Sequence, residues 1–171
     1  MKNKIGTHIL PTAELNLDSA EGYLIGSLGQ GVKNISPVLN ITRIWSAMSS
    51  IGKLRKCLAI AASYAEVRAI HGGTLLLKDT PIHVEQLASV NLLYRALTHL
   101  TFGVIWLIGK AECGTVTPDE LRRLRMLTPV VKGYAAEKAC TGMEKAMSAM
   151  VGGVMEENGF GRAIRDSFVE K

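Results

Sequence analysis

Beyond residue 31 the apolar residues of this chain recur every three or four positions, whereas over the first thirty they alternate. The stretch AELNLDSAEGYLIG has period two, with Pro11 ahead of it and Gly22, Gly26, Gly29 and Gly31 within and behind it. Period two sends successive side chains to opposite faces of an extended backbone, so residues 1–30 predict two short strands and a turn. A lone hairpin is marginal in water. This piece therefore either packs on the helical part of the chain or is the remnant of a β domain lying upstream in a longer protein.

From Val32 to Ile70 the pattern is helical, with Ile44, Met48, Ile51, Arg55, Leu58, Ala62 and Ala65 forming one face and Pro37 tolerated near the start. HGGTLLLKDTP interrupts it, and its paired glycines, Asp-Thr cap and Pro81 announce another helix. That second helix should run from Pro81 to about Glu112, with Leu87, Val90, Tyr94, Leu97, Thr101, Val104 and Ile108 in the alternating repeat of a bundle. Gly114 supplies a stop, Thr117 the next N-cap, Pro118 a first-turn residue, and Asp119 and Glu120 the acids that suit a helix N-terminus. A third helix extends to about Met150 along Leu124, Leu127, Val131, Tyr134, Met143, Met147 and Met150. Pro129, Gly133 and Gly142 inside it predict a kink rather than a break. Gly152 and Gly153 end it, and NGFGRAIRDSFVEK starts a short fourth helix.

The fold class is thus all-α: an up-down bundle of three long helices plus a short C-terminal one, with a short N-terminal β-hairpin in front. The boundary between hairpin and bundle divides residues 1–30 from 31–171. A chain of 171 residues with 47% hydrophobic content suffices for one domain with a real core. The net charge of +5 permits attraction to nucleic acid, anionic membrane or CoA-like phosphates without selecting among them. Cys57, Cys113 and Cys140 are widely spaced and odd in number, which suits reduced thiols in an intracellular protein better than a disulfide framework. MKNKIGTHIL has no secretory pattern. The apolar window from Phe102 to Ile108 is short, and extending it toward Leu87 takes in Asn91, Arg95 and His99, so it reads as core helix and not membrane span.

No motif in the chain carries chemistry by itself. Gly26, Gly29 and Gly31 lead into a helix, but not in the order of a P-loop or dinucleotide fingerprint, and read as a tight entry turn. His8, His71, His83 and His99 lack metal-ligand spacing. Lys53, Arg55 and Lys56, and Arg122, Arg123 and Arg125, read as solvated helix faces before they read as a nucleic-acid surface. Met143, Met147, Met150 and Met155 have core spacing. No nucleophile–base set can be assembled from sequence.

Four stretches in order, GYLIGSLGQGVKNI, NITRIWSAMSSIGKLRKCLAIAASYAEVRAIHGG, TPIHVEQLA, and AMVGG followed by GRAIRD, are similar to acyl-CoA dehydrogenases. The likeness is greatest to the branch that includes bacterial alkylation-response flavoproteins, and it covers essentially the whole chain. It implies the C-terminal helical domain of that family, with residues 1–30 as the last strands of its middle β domain. It also implies FAD at a subunit interface, an acyl-CoA substrate in the full-length context, and a homo-oligomer. The family's Arg-x-x-Phe-Gly, whose arginine approaches the FAD pyrophosphate of a neighbouring subunit, matches Arg68, His71 and Gly72, with His71 in place of the aromatic.

Thr80 and Ala149 stand where the family uses glutamines, while Gly152 and Gly153 match its Gly-Gly loop, which VMEEN then shortens. The resemblance thus makes Arg68, His71, Gly72, Thr80, Gly152 and Gly153 the cofactor-binding candidates. The family's catalytic glutamate lies in a Trp/Tyr-Glu-Gly-Thr motif after Arg-Asp, which this chain does not reach. The alternative position, beside Arg43, is Thr42, and Glu170 lacks the Gly-Thr. The resemblance therefore implies an oxidoreductase domain with no catalytic residue of its own, inactive alone and working in cytoplasm or mitochondrion. The competing reading is a stand-alone helical module that oligomerises or binds nucleic acid.

Overall fold

The computed structural model describes residues 2–150 and 159–170. Three long helices, α1 (Gly31–Val67), α2 (Pro81–Glu112) and α3 (Pro118–Ser148), precede a short α4 (Phe160–Val169). All-α architecture is therefore the finding, and α2 has the limits that its proline start and bundle repeat predict. Between α1 and α2, two-residue strands β1 (Ala69–Ile70) and β2 (Leu75–Leu76) pair antiparallel, Ala69 with Leu76 and Ile70 with Leu75. A 3-10 turn (His71–Gly73) joins them, and another (Leu77–Asp79) leads to α2.

The core lies between α1, α2 and α3, with Leu54, Leu97, Val104, Val131 and Met143 at its centre. Gly142 marks where the three helices approach: a Cβ there would stand 2.8 Å from Leu54 Cδ1 on α1 and 3.2 Å from Leu93 Cδ2 on α2. A glycine whose position predicts a kink thus makes room for two leucines, and α3 continues as one helix across Pro129, Gly133 and Gly142. The buried face of α1 is Ile44, Ala47, Ile51, Leu54, Cys57, Ala61 and Ala65. Arg55 and Ala62, expected on that face, are exposed. The correction has a packing cause, because α3 buries small residues, Ala135, Ala136 and Ala139, and its partner face on α1 is correspondingly rich in alanine.

Helix α4 buries Phe160, Ala163 and Ser167. At its end the Glu170 carboxylate accepts from Ser50 Oγ at 2.8 Å and from Lys53 Nζ at 3.1 Å, fastening α4 to α1. The N-terminal segment touches α4 through Thr7 N, which donates to Asp166 Oδ1 at 2.7 Å.

The expected N-terminal hairpin does not form: residues 2–30 contain no strand. Lys2 N donates to Thr12 O at 2.8 Å, but Leu15, Leu17, Tyr23 and Ile25 are exposed. Alternation supplies a strand pattern but no ladder, and without a neighbouring sheet edge the backbone gains too little to pair. Helix α2 departs from expectation in degree. By length and composition it is apolar enough to cross a membrane, yet only 22% of its most apolar window is buried. One stripe, with Val90, Leu97, Thr101 and Val104, enters the core; Leu92, Phe102 and Trp106 remain outside.

Candidate cofactor site

Arg68 ends α1 and Thr80 begins α2, and two backbone hydrogen bonds hold these positions together. Leu77 N donates to Arg68 O at 2.8 Å, and Thr80 N donates to Leu77 O at 3.1 Å. The Leu77 side chain is buried and anchors this relay. Arg68 is exposed and makes no ion pair among the described residues. Thr80 O accepts from His83 N and Val84 N, each at 3.1 Å, while its Oγ1 is buried with no partner among the described residues. No side chain caps α2 and no acid lies in its first turn. Within its first turn nothing offsets the partial positive charge of a helix start, and Asp79, just ahead of the N-cap, is the nearest acid in the chain.

At the tip of the connection, His71, Gly72 and Gly73 have φ of 49°, 69° and 95°. Two glycines suit this left-handed run, and His71 enters it at the cost that a Cβ brings. Thr74 Oγ1 donates to His71 O at 2.9 Å and closes the turn. His71 is exposed at this tip. Gln86 Nε2 donates to Lys145 O at 3.0 Å, which brings the C-terminal end of α3 to the same end of the bundle. Gly152 and Gly153 lie outside the described residues.

The structure thus brings Arg68, Gly72 and Thr80 into one connection, an exposed guanidinium with a bare helix N-terminus and an orphaned hydroxyl. All three are donors or positive ends in want of an acceptor. A diphosphate is a chemical fit for such a set, through its charge and its several acceptor oxygens. These residues accordingly suit the diphosphate of FAD.

His83 is a feature that the sequence pattern does not signal. It is 6% exposed and its Nε2 has no partner among the described residues. Burial pushes its pKa below the ordinary value. Only tertiary packing makes it unusual, since a histidine in the first turn of an amphipathic helix reads as surface. Elsewhere, Thr42 Oγ1 donates to Leu39 O at 2.9 Å, and Arg43 Nη1 donates to Asn40 Oδ1 at 3.2 Å.

Residues 29–171 match the family described as acyl-CoA dehydrogenase, C-terminal domain. The chain belongs to the acyl-CoA dehydrogenase family. It is 38% identical over 170 residues to acyl-CoA dehydrogenase family member 11 of Caenorhabditis elegans, covering 99% of this chain and 27% of that protein. It is 25% identical over 167 residues to the putative acyl-CoA dehydrogenase AidB of Escherichia coli K12, covering 97% of this chain and 30% of the relative. The crystal structure of Caenorhabditis elegans ACDH-11 in complex with C11-CoA superposes with a TM-score of 0.90 at 38% identity, over 99% of this chain and 28% of that one. A second structure, Bd2924 in its apo form, gives 0.90 and 38% over 99% of this chain and 33% of the other. The chain therefore spans less than a third of the length of these two curated relatives and corresponds to the helical C-terminal domain of acyl-CoA dehydrogenases.

Proposed function

We propose that this chain is the helical part of an FAD-dependent acyl-CoA dehydrogenase that receives the cofactor's diphosphate and pairs subunits, and that the chain by itself does not turn over acyl-CoA. The observation that carries the reading is the relay from Arg68 through Leu77 to Thr80, which ties a free guanidinium to an uncapped helix start. Arg68 offers a planar fork to phosphate oxygens, Gly72 lets the backbone come close, and Thr80 offers a hydroxyl. Gly152 and Gly153 belong to the same reading. When bound, FAD would supply the hydride acceptor for oxidation of the acyl Cα–Cβ bond.

That oxidation also needs a base at the α-carbon. Thr42 is a hydroxyl already donated to a carbonyl, and the Glu170 carboxylate is engaged by Ser50 and Lys53, so neither fills the role. Residues 2–30, which contain no strand here, join this reading as a segment that would complete the family's middle β domain, in keeping with their alternation and exposure. Leu92, Phe102 and Trp106, exposed along α2, suit the surface of a homo-oligomer. An intracellular setting, in cytoplasm or mitochondrion, agrees with three cysteines that form no disulfide among the described residues. The nucleic-acid alternative has less support, because Lys53 is paired with Glu170 and Arg122 with Asp119, which thins both basic clusters.

The test is a titration of the full chain with FAD, monitored by flavin fluorescence and gel filtration. Saturable binding weakened about tenfold by Arg68→Ala, with the melting temperature unchanged, is the expected result. No acyl-CoA-dependent reduction of an artificial electron acceptor should accompany it. FAD binding that ignores Arg68→Ala would overturn the assignment.

A further inference from the structure

A second concave site adjoins the Arg68 connection at Lys78 and runs along the C-terminal half of α1 and the first turns of α2. It is a cleft of about 560 Å³, within the size range of small-molecule pockets. Its α1 wall includes Leu58 and Ala62, its α2 wall Leu87 and Tyr94, and the small alanine side chains of α1 leave the space open.

Three observations say what would fill it. His83, only 6% exposed, lines the cleft with Nε2 unpartnered among the described residues. A neutral imidazole is the form favoured by burial, and a buried Nε2 left without a partner loses free energy. Arg55 and Lys78 also line the cleft, and neither makes an ion pair among the described residues. Against these two cations stands one acid, Glu66, so the cleft carries an excess of one positive charge. The remaining lining is mainly apolar.

We propose that this cleft binds a small apolar monoanion, with hydrocarbon between Leu58 and Leu87, the acid group drawn to Arg55 and Lys78, and a hydrogen bond from His83. An apolar wall with few placed polar groups is the usual composition of such sites. The match of one net charge to one acid group selects a monoanion over a neutral or doubly charged molecule. This site is separate from the FAD reading and stands or falls without it.

The probe is 8-anilinonaphthalene-1-sulfonate, an aromatic monoanion, titrated into the full chain by fluorescence. One saturable site is expected. Ala62→Phe, which fills the cleft from an exposed position, should weaken binding at least about tenfold without lowering the melting temperature. Arg55→Gln combined with Lys78→Gln should weaken it about tenfold. His83→Gln, which keeps a hydrogen-bonding group, should bind more tightly than His83→Phe. The Ala62 and double variants decide the matter where a His83 variant fails to fold. Unchanged affinity in Ala62→Phe would place the dye elsewhere and overturn the proposal. So would displacement of the dye by FAD, or a dimer that Ala62→Phe turns into monomer, since the cleft would then belong to the cofactor site or to a second copy.

Discussion

The two connections that join the long helices solve the same problem in opposite ways. Between α2 and α3 the chain closes on itself. Thr117 Oγ1 accepts from Glu120 N while the Glu120 carboxylate accepts from Thr117 N, a complete capping box. Lys110 Nζ reaches the same carboxylate at 2.5 Å and lies 4.7 Å above the Trp106 ring. Between α1 and α2 the corresponding N-cap, Thr80, makes no side-chain cap bond and Arg68 has no counterion among the described residues. Helix ends can be satisfied from within, and where one is left open its donors are available to something else. The contrast teaches that the α2–α3 corner spends its polar groups on itself, while the α1–α2 connection leaves donors open that, on the proposed reading, serve binding.

The strongest way to break that division is Leu77→Ala. Leu77 is the buried anchor of the binding connection, and its truncation should cost about 2–4 kcal/mol of stability in urea titration, with FAD affinity falling in parallel. A loss well below that range would mean the connection is held by something other than Leu77. Next in size is Thr117→Ala, expected to cost about 1 kcal/mol through loss of the cap. It should leave FAD titrations untouched, the reverse of Arg68→Ala, and any shift in FAD affinity would blur the two roles.

The smallest effect is on acid stability. Hydrogen bonds from Lys110 and Thr117 hold the Glu120 carboxyl down at about 2, below its ordinary 4.5. A carboxylate with a lowered folded pKa binds fewer protons than in the unfolded chain, so its contribution is whole above about pH 4.5 and fades as pH falls toward 2. Thermal melts of wild type and Glu120→Gln should therefore differ most above that window and converge below it. A constant gap across the window would remove Glu120 from the corner's electrostatics.

The α2–α3 corner is legible from sequence because its code is local: Thr117, Pro118, Asp119 and Glu120 state a helix start within four residues. The same locality marks the limits of α2. On α1 the apolar stripe falls one step aside from the buried face, because Ala47, Ala61 and Cys57 carry little weight in a periodicity argument yet lie in the same core as Ala135 and Ala139 of α3. Arg55 and Ala62, expected in the core, instead line the cleft. The strands over residues 1–30 fail for a different reason, since alternation marks strands one by one and an isolated pair gains too little without a further sheet edge. Of the site, Arg68, His71, Gly72 and Thr80 come by resemblance, and the structure adds the relay through Leu77 that binds two of them together. His83 has no local signal, because its burial is a property of how α1 and α2 meet.

The three thiols are not equally open to chemistry. Cys57 and Cys140 are buried, and burial pushes the Cys57 thiol up to about 11, while Cys113 is exposed at the C-cap of α2. A maleimide dye would therefore mark one place. The 32-residue α2 is about 48 Å long and separates that mark from Thr80. A flavin at the Arg68 connection would lie near the far end of this ruler from a label on the same subunit. Strong quenching of the dye on adding flavin would then report the label of a neighbouring subunit, and with it the relative orientation of two bundles.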